Sequence, residues 1–299
     1  MILCAGEALI DMLPRQTALG EATFMPCTGG AALNMAVALA RLDTPVSLFT
    51  GLSTDMFGNQ LRATLAAAGV GARAATSDRP TTLAFVELVD GSARYAFFDE
   101  NTAGRMLTAD DLPALDDVQA VALGGISLAV EPCADAFETL CTRAAPNKLV
   151  MIDPNIRPLF ISDEARYRAR LTRMMAVADI VKLSDEDLDW WNGGDIDALL
   201  ASGPKMLVMT KGPEGAVAIR ASGMVSVPAT RVDVVDTIGA GDTFNAGFMA
   251  GLSDANALSK AALATLSDDT LRNALTLGVQ AAGITVSRAG ANPPHRSEL

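Results

Sequence analysis

The sequence predicts an α/β fold in which a doubly wound, mostly parallel sheet is flanked by helices and carries a small antiparallel β lid. Two observations support this prediction. Short apolar runs alternate with amphipathic stretches along most of the chain, and two stretches in its N-terminal third break the alternation. Apolar strands separated by helices pair in parallel with both faces covered, and such sheets bind ligands at the carboxyl ends of their strands.

The strands of the main sheet are predicted where short apolar runs are rich in β-branched residues. These runs cover residues 2–5, 46–50, 121–124, 149–153, 180–183 and 206–210. A helical period fills the spaces between them and returns in the last third of the chain. The predicted helices cover residues 31–42, 58–68, 131–145, 164–177, 186–191, 242–252, 257–266 and 268–287.

The lid is predicted from two stretches, about 13–27 and 81–98. The second contains Asp90-Gly91 between two β-rich segments, which is a strong hairpin signal, and the first has no helical period. A small sheet must bury its apolar face, either against a ligand cleft or against a second copy of the chain. We expect a single domain over residues 1–299, with this lid inserted in it and a homodimer through the lid as an option.

The charge balance restricts the partners. Half of the 299 residues are hydrophobic, which is enough for a large core, and 35 acids outnumber 23 Lys and Arg to give a net charge of −12. Duplex nucleic acid and anionic membranes bind basic surfaces, so we expect neither as a partner. An anionic ligand must instead be held locally by helix N-termini, backbone amides, individual basic side chains or a divalent metal.

The rare residue types restrict the chemistry and the compartment. One histidine, His295, stands near the end of the chain, which disfavours a histidine base or a histidine-rich metal site. The four cysteines form no CxxC motif and are expected to be free thiols. The N-terminus does not resemble a signal peptide, and no apolar run is long enough to cross a bilayer. We therefore expect a soluble, cytoplasmic protein.

The most informative segment is a glycine turn that stands directly before a predicted helix. The backbone amides of Gly239, Ala240, Gly241 and Asp242 would point outward from the helix N-terminus and form an anion hole. A carboxylate there would repel a resting phosphate, but it suits an alcohol that attacks phosphorus, because Asp242 can accept the hydroxyl proton while the amides stabilise the transferring group. An ordinary helix start with an acid in its first turn is the structural alternative.

The same glycines also begin the dinucleotide-binding fingerprint G-x-G-x-x-G. Phe244 stands where the third glycine is required, and Asp242 would lie against the pyrophosphate. The first predicted strand lacks the motif as well. The segment therefore favours phosphoryl transfer over a nicotinamide-dependent dehydrogenase.

Several segments resemble the ribokinase-like (PfkB) carbohydrate kinases, in the family's order and over nearly the whole chain. Residues 236–248, DTIGAGDTFNAGF, are similar to the C-terminal signature of the family, and residues 29–36, GGAALNMA, are similar to its N-terminal signature. Further similar motifs are GE at 6–7 with Asp11, DPNIRP at 153–158, TKGPEG at 210–215 and RAGA at 288–291.

The resemblance implies ATP-dependent transfer of the γ-phosphoryl group to a sugar hydroxyl. Asp242 would be the base, and the amides of residues 239–242 the anion hole. The residues implied for the sugar are Asp11, Gly29, Gly30, Asn34 and Arg157. The residues implied for the nucleotide are Lys182, Ser184, Thr210, Lys211, Gly212 and Gly215.

These positions also have structural alternatives. Asp11 could be a surface loop acid, and Gly29-Gly30 a simple turn before a helix. Arg157 could form a salt bridge with Asp153 or Asp163 instead of binding a substrate oxygen. The glycines after Thr210 could belong to an ordinary hairpin.

The metal site departs from the family pattern. Many relatives carry Asn-x-x-Glu for Mg²⁺, whereas this chain has Ser184-Asp185-Glu186-Asp187, so Glu186 or Asp187 is expected to face the metal. Mg²⁺ keeps several waters and takes one or two carboxylates, so a serine with an acid can still serve. The alternative is that Ser184 caps a helix with acids in its first turn. The resemblance also makes K⁺ an option, bound by backbone oxygens near Asp236, Ile238 and Gly290.

The motifs around the predicted sugar site are most similar to fructokinase-type members. We therefore expect fructose as the substrate and fructose 6-phosphate as the product. A 2-keto-3-deoxygluconate kinase, a ribokinase and a nucleoside kinase are the alternatives; Arg157 could hold an acid sugar, but Asp99 and Glu100 would disfavour one if they point inward. A catalytically silent sugar or nucleotide sensor is the alternative that is not an enzyme.

Overall fold

A sheet with mostly parallel strands lies at the centre of the structure, a computed structural model that describes residues 1–89 and 92–299. The predicted turn Asp90-Gly91 lies outside the described residues. Numbered along the chain, the strands are β1 (Ile2–Ala5), β2 (Leu9–Gln16), β3 (Ala22–Gly29), β4 (Val46–Phe49), β5 (Gly51–Ser53), β6 (Gly71–Ala72), β7 (Ala75–Ser77), β8 (Leu83–Val89), β9 (Ser92–Phe98), β10 (Ala120–Gly124), β11 (Leu149–Asp153), β12 (Ile180–Ser184), β13 (Met206–Thr210), β14 (Ala216–Arg220) and β15 (Gly223–Val227).

The helices cover both faces of this sheet. They are α1 (Ala31–Arg41), α2 (Met56–Ala68), α3 (Cys133–Ala144), α4 (Glu164–Val177), α5 (Asp185–Asn192), α6 (Ile196–Ala201), α7 (Ala240–Asp254), α8 (Lys260–Ala264) and α9 (Asp268–Val286). Successive strand residues point to opposite faces. In β1, Ile2 and Cys4 therefore pack with α1, α7 and α9, whereas Leu3 and Ala5 pack with α3 and α4.

The strand order of the central sheet is β15-β14-β13-β12-β11-β10-β1-β4-β6. The strands from β13 to β6 pair in parallel, and the hairpin β14–β15 is added antiparallel at one edge. The predicted doubly wound, mostly parallel sheet is confirmed. The carboxyl ends of β1, β10, β11, β12 and β13 thus lie along one edge of the sheet, and α1 and α7 begin there.

The lid is a second sheet with the strand order β3-β2-β8-β9. Its two outer pairs are antiparallel as predicted, and the two hairpins are joined by parallel pairing of β2 with β8. The first hairpin is longer than the predicted stretch, because β2 begins at Leu9 and β3 ends at Gly29. Its two ends therefore place Asp11 and Gly29 next to the sheet edge at which α1 begins.

Several element boundaries differ from the sequence prediction for local reasons. Helix α7 begins at Ala240, two residues earlier than predicted, because Gly239 adopts a left-handed conformation that starts the helix. Helix α8 is shorter than predicted because the Ser259 side chain caps it. The sequence pattern does not predict α6, which is a single short segment, or the edge hairpin β14–β15, whose second strand is mostly exposed.

The structure shows the state of the four cysteines and whether any described helix could cross a membrane. Cys4, Cys133 and Cys141 are buried free thiols, and Cys27 is a half-buried one. In the described part of the chain, none of the helices has the length and apolarity that a bilayer crossing requires.

Candidate active site

A pocket opens at the carboxyl edge of the sheet, between the starts of α1 and α7. Small residues from β1, β10 and α1 form much of its wall, so the space is not filled by side chains. Its polar lining consists of Asp153, Asn155, Asp242 and Asn245. The pocket lies where a parallel α/β sheet binds its ligands.

The glycine turn at the start of α7 has the geometry expected for an anion site. Gly239 has φ 75°, and a Cβ at this position would lie 2.7 Å from the Cβ of Ala291, so a larger residue would be strained and crowded. The amide of Ala240 donates to the Thr237 carbonyl at 3.2 Å and is therefore occupied within the turn. The amides of Gly241 and Asp242 follow it in the first helical turn, where no carbonyl of the helix can accept their bonds.

Asp242 is the most perturbed acid of this edge. It is 8% exposed, and its Oδ2 accepts a hydrogen bond of 2.9 Å from Nδ2 of Asn34, which joins α7 to α1. Burial raises the pKa of Asp242 to about 7, with further upward contributions from Asp153 and Glu7, while Asn34 and Lys182 act in the opposite direction. A carboxylate with a pKa near neutral is well suited to accept a proton from an alcohol.

Three of the residues predicted for the sugar, Asp11, Gly29 and Gly30, lie together before α1, the helix that carries Asn34. Asp11 lies in strand β2 and is half-buried, so the loop-acid alternative is wrong. Its Oδ2 lies so close to Gly29 that a Cβ there would overlap it, and a Cβ on Gly30 would come within 2.6 Å of the Glu7 carbonyl oxygen. Burial, followed by the nearby charge of Glu7, raises the pKa of Asp11 to about 6. A carboxylate here can accept hydrogen bonds from two neighbouring hydroxyls.

Arg157 is exposed and lies four residues beyond the end of β11. Its Nη1 donates to the Ile156 carbonyl at 3.0 Å, and in residues 1–89 and 92–299 it forms no ion pair. The salt-bridge alternative is wrong, because Asp153 pairs with Lys182 and Asp163 instead accepts the Arg166 amide at the start of α4. The guanidinium is therefore free to meet a ligand that enters from solvent.

Lys182 forms a buried ion pair beneath the glycine turn. Its Nζ lies 3.0 Å from Oδ2 of Asp153, and a Cβ on Gly241 would be 3.4 Å from the same Nζ. Burial alone would lower the pKa of Lys182, but the charges of Asp153, Asp187 and Asp242 raise it. The ammonium therefore stays charged directly below the turn, where it can stabilise an anionic group.

Asp153 is fixed in turn by two further donors. Its Oδ2 accepts Nδ2 of Asn245 at 2.7 Å, and its Oδ1 accepts the Asn155 amide at 3.0 Å. The Oδ1 of Asn245 is buried and has no hydrogen-bond partner among the described residues. Sequence reasoning did not assign Asn245 a role, although it stands within the signature at 236–248.

The predicted nucleotide residues follow the two adjacent strands β12 and β13. Ser184 and Thr210 are paired neighbours at the ends of these strands. The next residues, from Lys211 to Gly215, form the turn into β14, in which the Lys211 amide donates to the Gly215 carbonyl at 2.8 Å. The hairpin alternative is thus confirmed for this turn. Because Thr210 is paired with Ser184, this turn lies next to the start of α5.

Ser184 and Asp187 form a capping box at the start of α5. The Asp187 Oδ2 accepts the Ser184 amide at 3.0 Å and its hydroxyl at 2.8 Å, while Oδ1 accepts the Ile156 amide at 2.8 Å. The helix-capping alternative is therefore confirmed. Asp187 is buried, whereas Glu186 is exposed, and the described residues contain no group of three potential metal-ligating acids, histidines or cysteines. This donor set fits Mg²⁺ that binds mainly through phosphate oxygens and water.

The loop that precedes the glycine turn is joined to the loop after α9 by one carboxylate. Asp236 Oδ1 accepts the Ile238 amide at 3.0 Å, and Oδ2 accepts the Gly290 amide at 2.9 Å. The side chain is used for this connection, which leaves backbone carbonyls of the two loops as the groups that could bind a monovalent cation.

Tyr95 is a residue of the lid that sequence reasoning missed. It stacks on Phe97 at 5.7 Å, and Phe97 contacts Phe160 beyond the end of β11. Burial raises the pKa of Tyr95, and the charges that act on it include Asp11 and Arg157. The lid therefore brings a phenol toward the sugar residues, but a single tyrosine in a strand has no motif that would reveal this from sequence.

Comparisons with known proteins cover almost the entire chain. Residues 1–298 match the profile of a family described as pfkB family carbohydrate kinase. A fructokinase of Rhizobium leguminosarum bv. trifolii is 52% identical over 280 residues, which are 91% of this chain and 86% of that protein.

Two solved structures show the same fold. A fructokinase from Xylella fastidiosa with bound ATP has a TM-score of 0.90 at 29% identity, covering 97% of this chain and 93% of that one. An aminoimidazole riboside kinase from Salmonella enterica, complexed with aminoimidazole riboside and an ATP analog, has a TM-score of 0.83 at 25% identity, covering 99% and 97%.

Proposed function

The chain belongs to the pfkB family of carbohydrate kinases and is an ATP-dependent sugar kinase, and we propose that it phosphorylates fructose to fructose 6-phosphate. One observation carries the chemistry: a buried carboxylate, Asp242, lies in the first turn of α7 and lines the pocket at the carboxyl edge of the sheet. The fructose assignment is supported by the relative from Rhizobium leguminosarum bv. trifolii. We treat the whole chain as one kinase domain that carries the lid.

In the proposed reaction Asp242 accepts the proton of the attacking sugar hydroxyl. Asn34 orients the carboxylate through its amide, and Asp11 with the backbone at Gly29-Gly30 holds the remaining hydroxyls of the sugar. The sugar oxygen bonds to the γ-phosphorus as the bond from phosphorus to the bridging oxygen of ATP breaks, and ADP leaves. The amides of Gly241 and Asp242 stabilise the charge on the transferring group.

On the nucleotide side we propose that Lys182 contacts the phosphates and that the ends of β12 and β13 border ATP. Thr210, Lys211, Gly212 and Gly215 supply this border, and the capping box of Ser184 keeps α5 in place beside it. Mg²⁺ bound to the phosphates supplies charge neutralisation; Glu186, and Asp187 through water, are the residues that would hold it. A K⁺ ion at the carbonyls near Asp236 and Gly290 remains a prediction.

The charges of the pocket favour a neutral sugar over an acid sugar. Asp11 and Asp242 are the acids of the proposed sugar positions, Glu7 lies buried behind them, and the buried Asp99 is paired with Arg105 at 3.2 Å. A sugar carboxylate would be repelled by these acids, and the exposed Arg157 is the cation that could offset them. This argues for fructose or a riboside rather than 2-keto-3-deoxygluconate.

We also propose a homodimer through the lid. Phe24, Phe85 and Phe98 form a chain of edge-on ring contacts at 5.0 and 5.4 Å, and Phe24 and Phe98 remain exposed on the lid. Apolar rings on the surface of a small sheet are typical of a protein contact. Sedimentation of the wild type and of an F24S/F98S variant tests this: a dimer that the variant loses is expected. The cytoplasmic location remains a prediction.

Coupled ADP-release assays with fructose, ribose, a riboside such as inosine, and 2-keto-3-deoxygluconate test the proposed substrate. The highest kcat/KM is expected with fructose, and NMR of the product should place the phosphate on O6. A higher kcat/KM with a riboside would make the chain a nucleoside kinase. Binding without turnover for every sugar would support a silent sensor.

A further inference from the structure

A buried carboxylate with no cationic partner lies behind the sugar site, and the proposed reaction does not use it. Glu7 is 9% exposed, and within the described residues no Lys or Arg forms an ion pair with it. Its Oε1 accepts the Ala31 amide at 3.3 Å, and its Oε2 accepts the hydroxyl of Ser127 at 2.8 Å and its amide at 3.3 Å. Buried acids are rare unless they are paired or well hydrogen-bonded.

The surrounding backbone is shaped to admit this side chain. Gly125 has φ 81°, and a Cβ there would overlap Oε1 of Glu7. On the other side, a Cβ on Gly30 would lie 2.6 Å from the Glu7 carbonyl oxygen, which also accepts the Leu33 amide at 3.4 Å. Glu7 thus connects the segment after β1 to the start of α1 and to the turn after β10.

This position links Glu7 to the base in two ways. Ala31 is the first residue of α1, and the same helix carries Asn34, whose amide orients Asp242. The dipole of a helix interacts favourably with a carboxylate at its N-terminus, where the Glu7 side chain accepts the Ala31 amide. Its charge is then one of the few that act on Asp242 inside the protein.

The titratable and charged groups that face Asp242 come from the surrounding strands and loops. Those that act on Asp242, or on which Asp242 acts, are Cys4 of β1, Glu7, Tyr95 of β9, Asp153 of β11 and Lys182 of β12. The helices α1 and α9 contribute neutral groups, Asn34 to Asp242 and Thr285 to the neighbouring Thr243. Lys182 is already paired with Asp153, so the charge of Glu7 is not balanced by a cation of its own.

We propose that Glu7 is a positioning residue of phosphoryl transfer, which fixes the start of α1 and, through Asn34, the Asp242 carboxylate, and which keeps a second negative charge beside this base. The inference rests on the proposed function. Burial and then like charges hold the pKa of Asp242 at about 7, and Glu7 is one of those charges. Removal of this charge should therefore lower the pKa of Asp242, and the base should remain ionised at lower pH.

The test compares E7Q with S127A in the pH dependence of kcat/KM for fructose. E7Q removes the charge at nearly constant size, so its acid limb should move to lower pH by roughly half a unit or more, and kcat at pH 8 should fall by roughly tenfold as the orientation of α1 loosens. S127A removes one hydrogen bond but keeps the charge, so its acid limb should coincide with that of the wild type. A folded E7Q variant with the wild-type acid limb would overturn the proposal.

A second variant, E7D, serves if E7Q does not fold, and a direct titration of Asp242 serves if the wild type is inactive. If E7Q does not fold, E7D keeps the charge on a shorter side chain, and we expect an unmoved acid limb with a lower kcat; wild-type kcat in E7D would overturn the proposal. If the wild type turns over no sugar, the proposed function fails. A ¹³C NMR titration of the Asp242 carboxyl still measures whether the charge of Glu7 raises the pKa of Asp242. An Asp242 pKa that is the same in E7Q and the wild type would contradict it.

Discussion

Two groups of charges in this molecule, each with a buried cation at its centre, contrast in their balance. On α4, Arg166, Arg170 and Arg173 face Glu131, Asp135 and Glu138, and the central Arg170, 1% exposed, lies 2.7 Å from Glu131 and 2.5 Å from Asp135. Three cations meet three acids. At the carboxyl edge of the sheet, Glu7, Asp153, Asp187 and Asp242 are buried acids, and the buried cation that the described residues place there, Lys182, is paired with Asp153.

The pKa shifts in the two groups follow from this difference. Burial alone would lower the pKa of Arg170, but the hydrogen bonds that it donates to Glu131 and Asp135 raise it, so the guanidinium is held more firmly in its charged form. For Asp242 burial and the neighbouring acids act together, and they raise its pKa to about 7. A balanced group of buried charges holds two helices together, whereas an unbalanced one makes a carboxylate able to exchange a proton at neutral pH.

The largest effect should come from removing the base of the unbalanced group. D242N should lower kcat by roughly 10²–10⁴, because a positioned general base is lost while the binding groups remain. Sugar and ATP affinities, measured by calorimetry, should change little. D269N is the matched control, since Asp269 lies in the first turn of α9 with a side chain that is 96% exposed. Equal loss of activity in both variants would remove the special role of Asp242.

A substitution in the balanced group should change the free energy of unfolding rather than kcat. R170M removes the buried cation, while Arg166 and Arg173 still pair with the partly exposed acids, and we expect a loss of about 1–3 kcal/mol in the free energy of unfolding. The exposed R173M should cost about 1 kcal/mol or less. Denaturant unfolding measures both, and kcat per folded molecule should be unchanged. A folded R170M enzyme with a large loss of kcat would show that the two groups are coupled.

A smaller effect is expected for the second acid of the sugar site. D11N replaces an acceptor of hydroxyl hydrogen bonds with an amide of the same size, so the KM for fructose should rise by roughly 10–100-fold with a smaller change in kcat. Steady-state kinetics at saturating ATP separate the two constants. An unchanged KM for fructose would place Asp11 outside the sugar site.

The smallest effect is expected in the pH dependence of the free energy of unfolding, which the raised pKa of Asp242 controls. The pKa of Asp242 is about 7 in the folded chain and 3.8 in the ordinary case, so the stability of the wild type should fall as pH rises between these values. D242N lacks this penalty. Its advantage in unfolding free energy over the wild type should therefore grow by about 1–2 kcal/mol from pH 6 to pH 8. A constant difference would mean that Asp242 is not perturbed.

The sequence predicts the scaffold better than the charge balance within it. The strands at 149–153 and 206–210 have the predicted bounds because each is a continuous apolar run that ends at a polar residue. The glycine turn is likewise predicted from the sequence, because Gly239 and Gly241 stand directly before an acid and a helical period. The exposed strand β15 has no such pattern and was not predicted.

The contacts that tune the site could not be predicted, because they join residues far apart in the chain. Asn34 and Asp242 are separated by 208 positions, and Glu7 and Ser127 by 120. Local patterns carry no information about such pairs, and the pKa of Asp242 depends on them as well as on burial. Only the folded chain shows that Lys182 forms its ion pair with Asp153. Asp242 therefore accepts its hydrogen bond from the side-chain amide of Asn34.

The most direct test of the account is the pH dependence of kcat/KM for fructose in the wild-type enzyme, which reports ionisations of the free protein. With Asp242 as the base, the value should fall from pH 8 toward pH 6 with an apparent pKa near 7, and D11N should retain this acid limb. A profile that stays flat from pH 8 down to pH 5.5 would mean that no buried carboxylate takes the sugar proton.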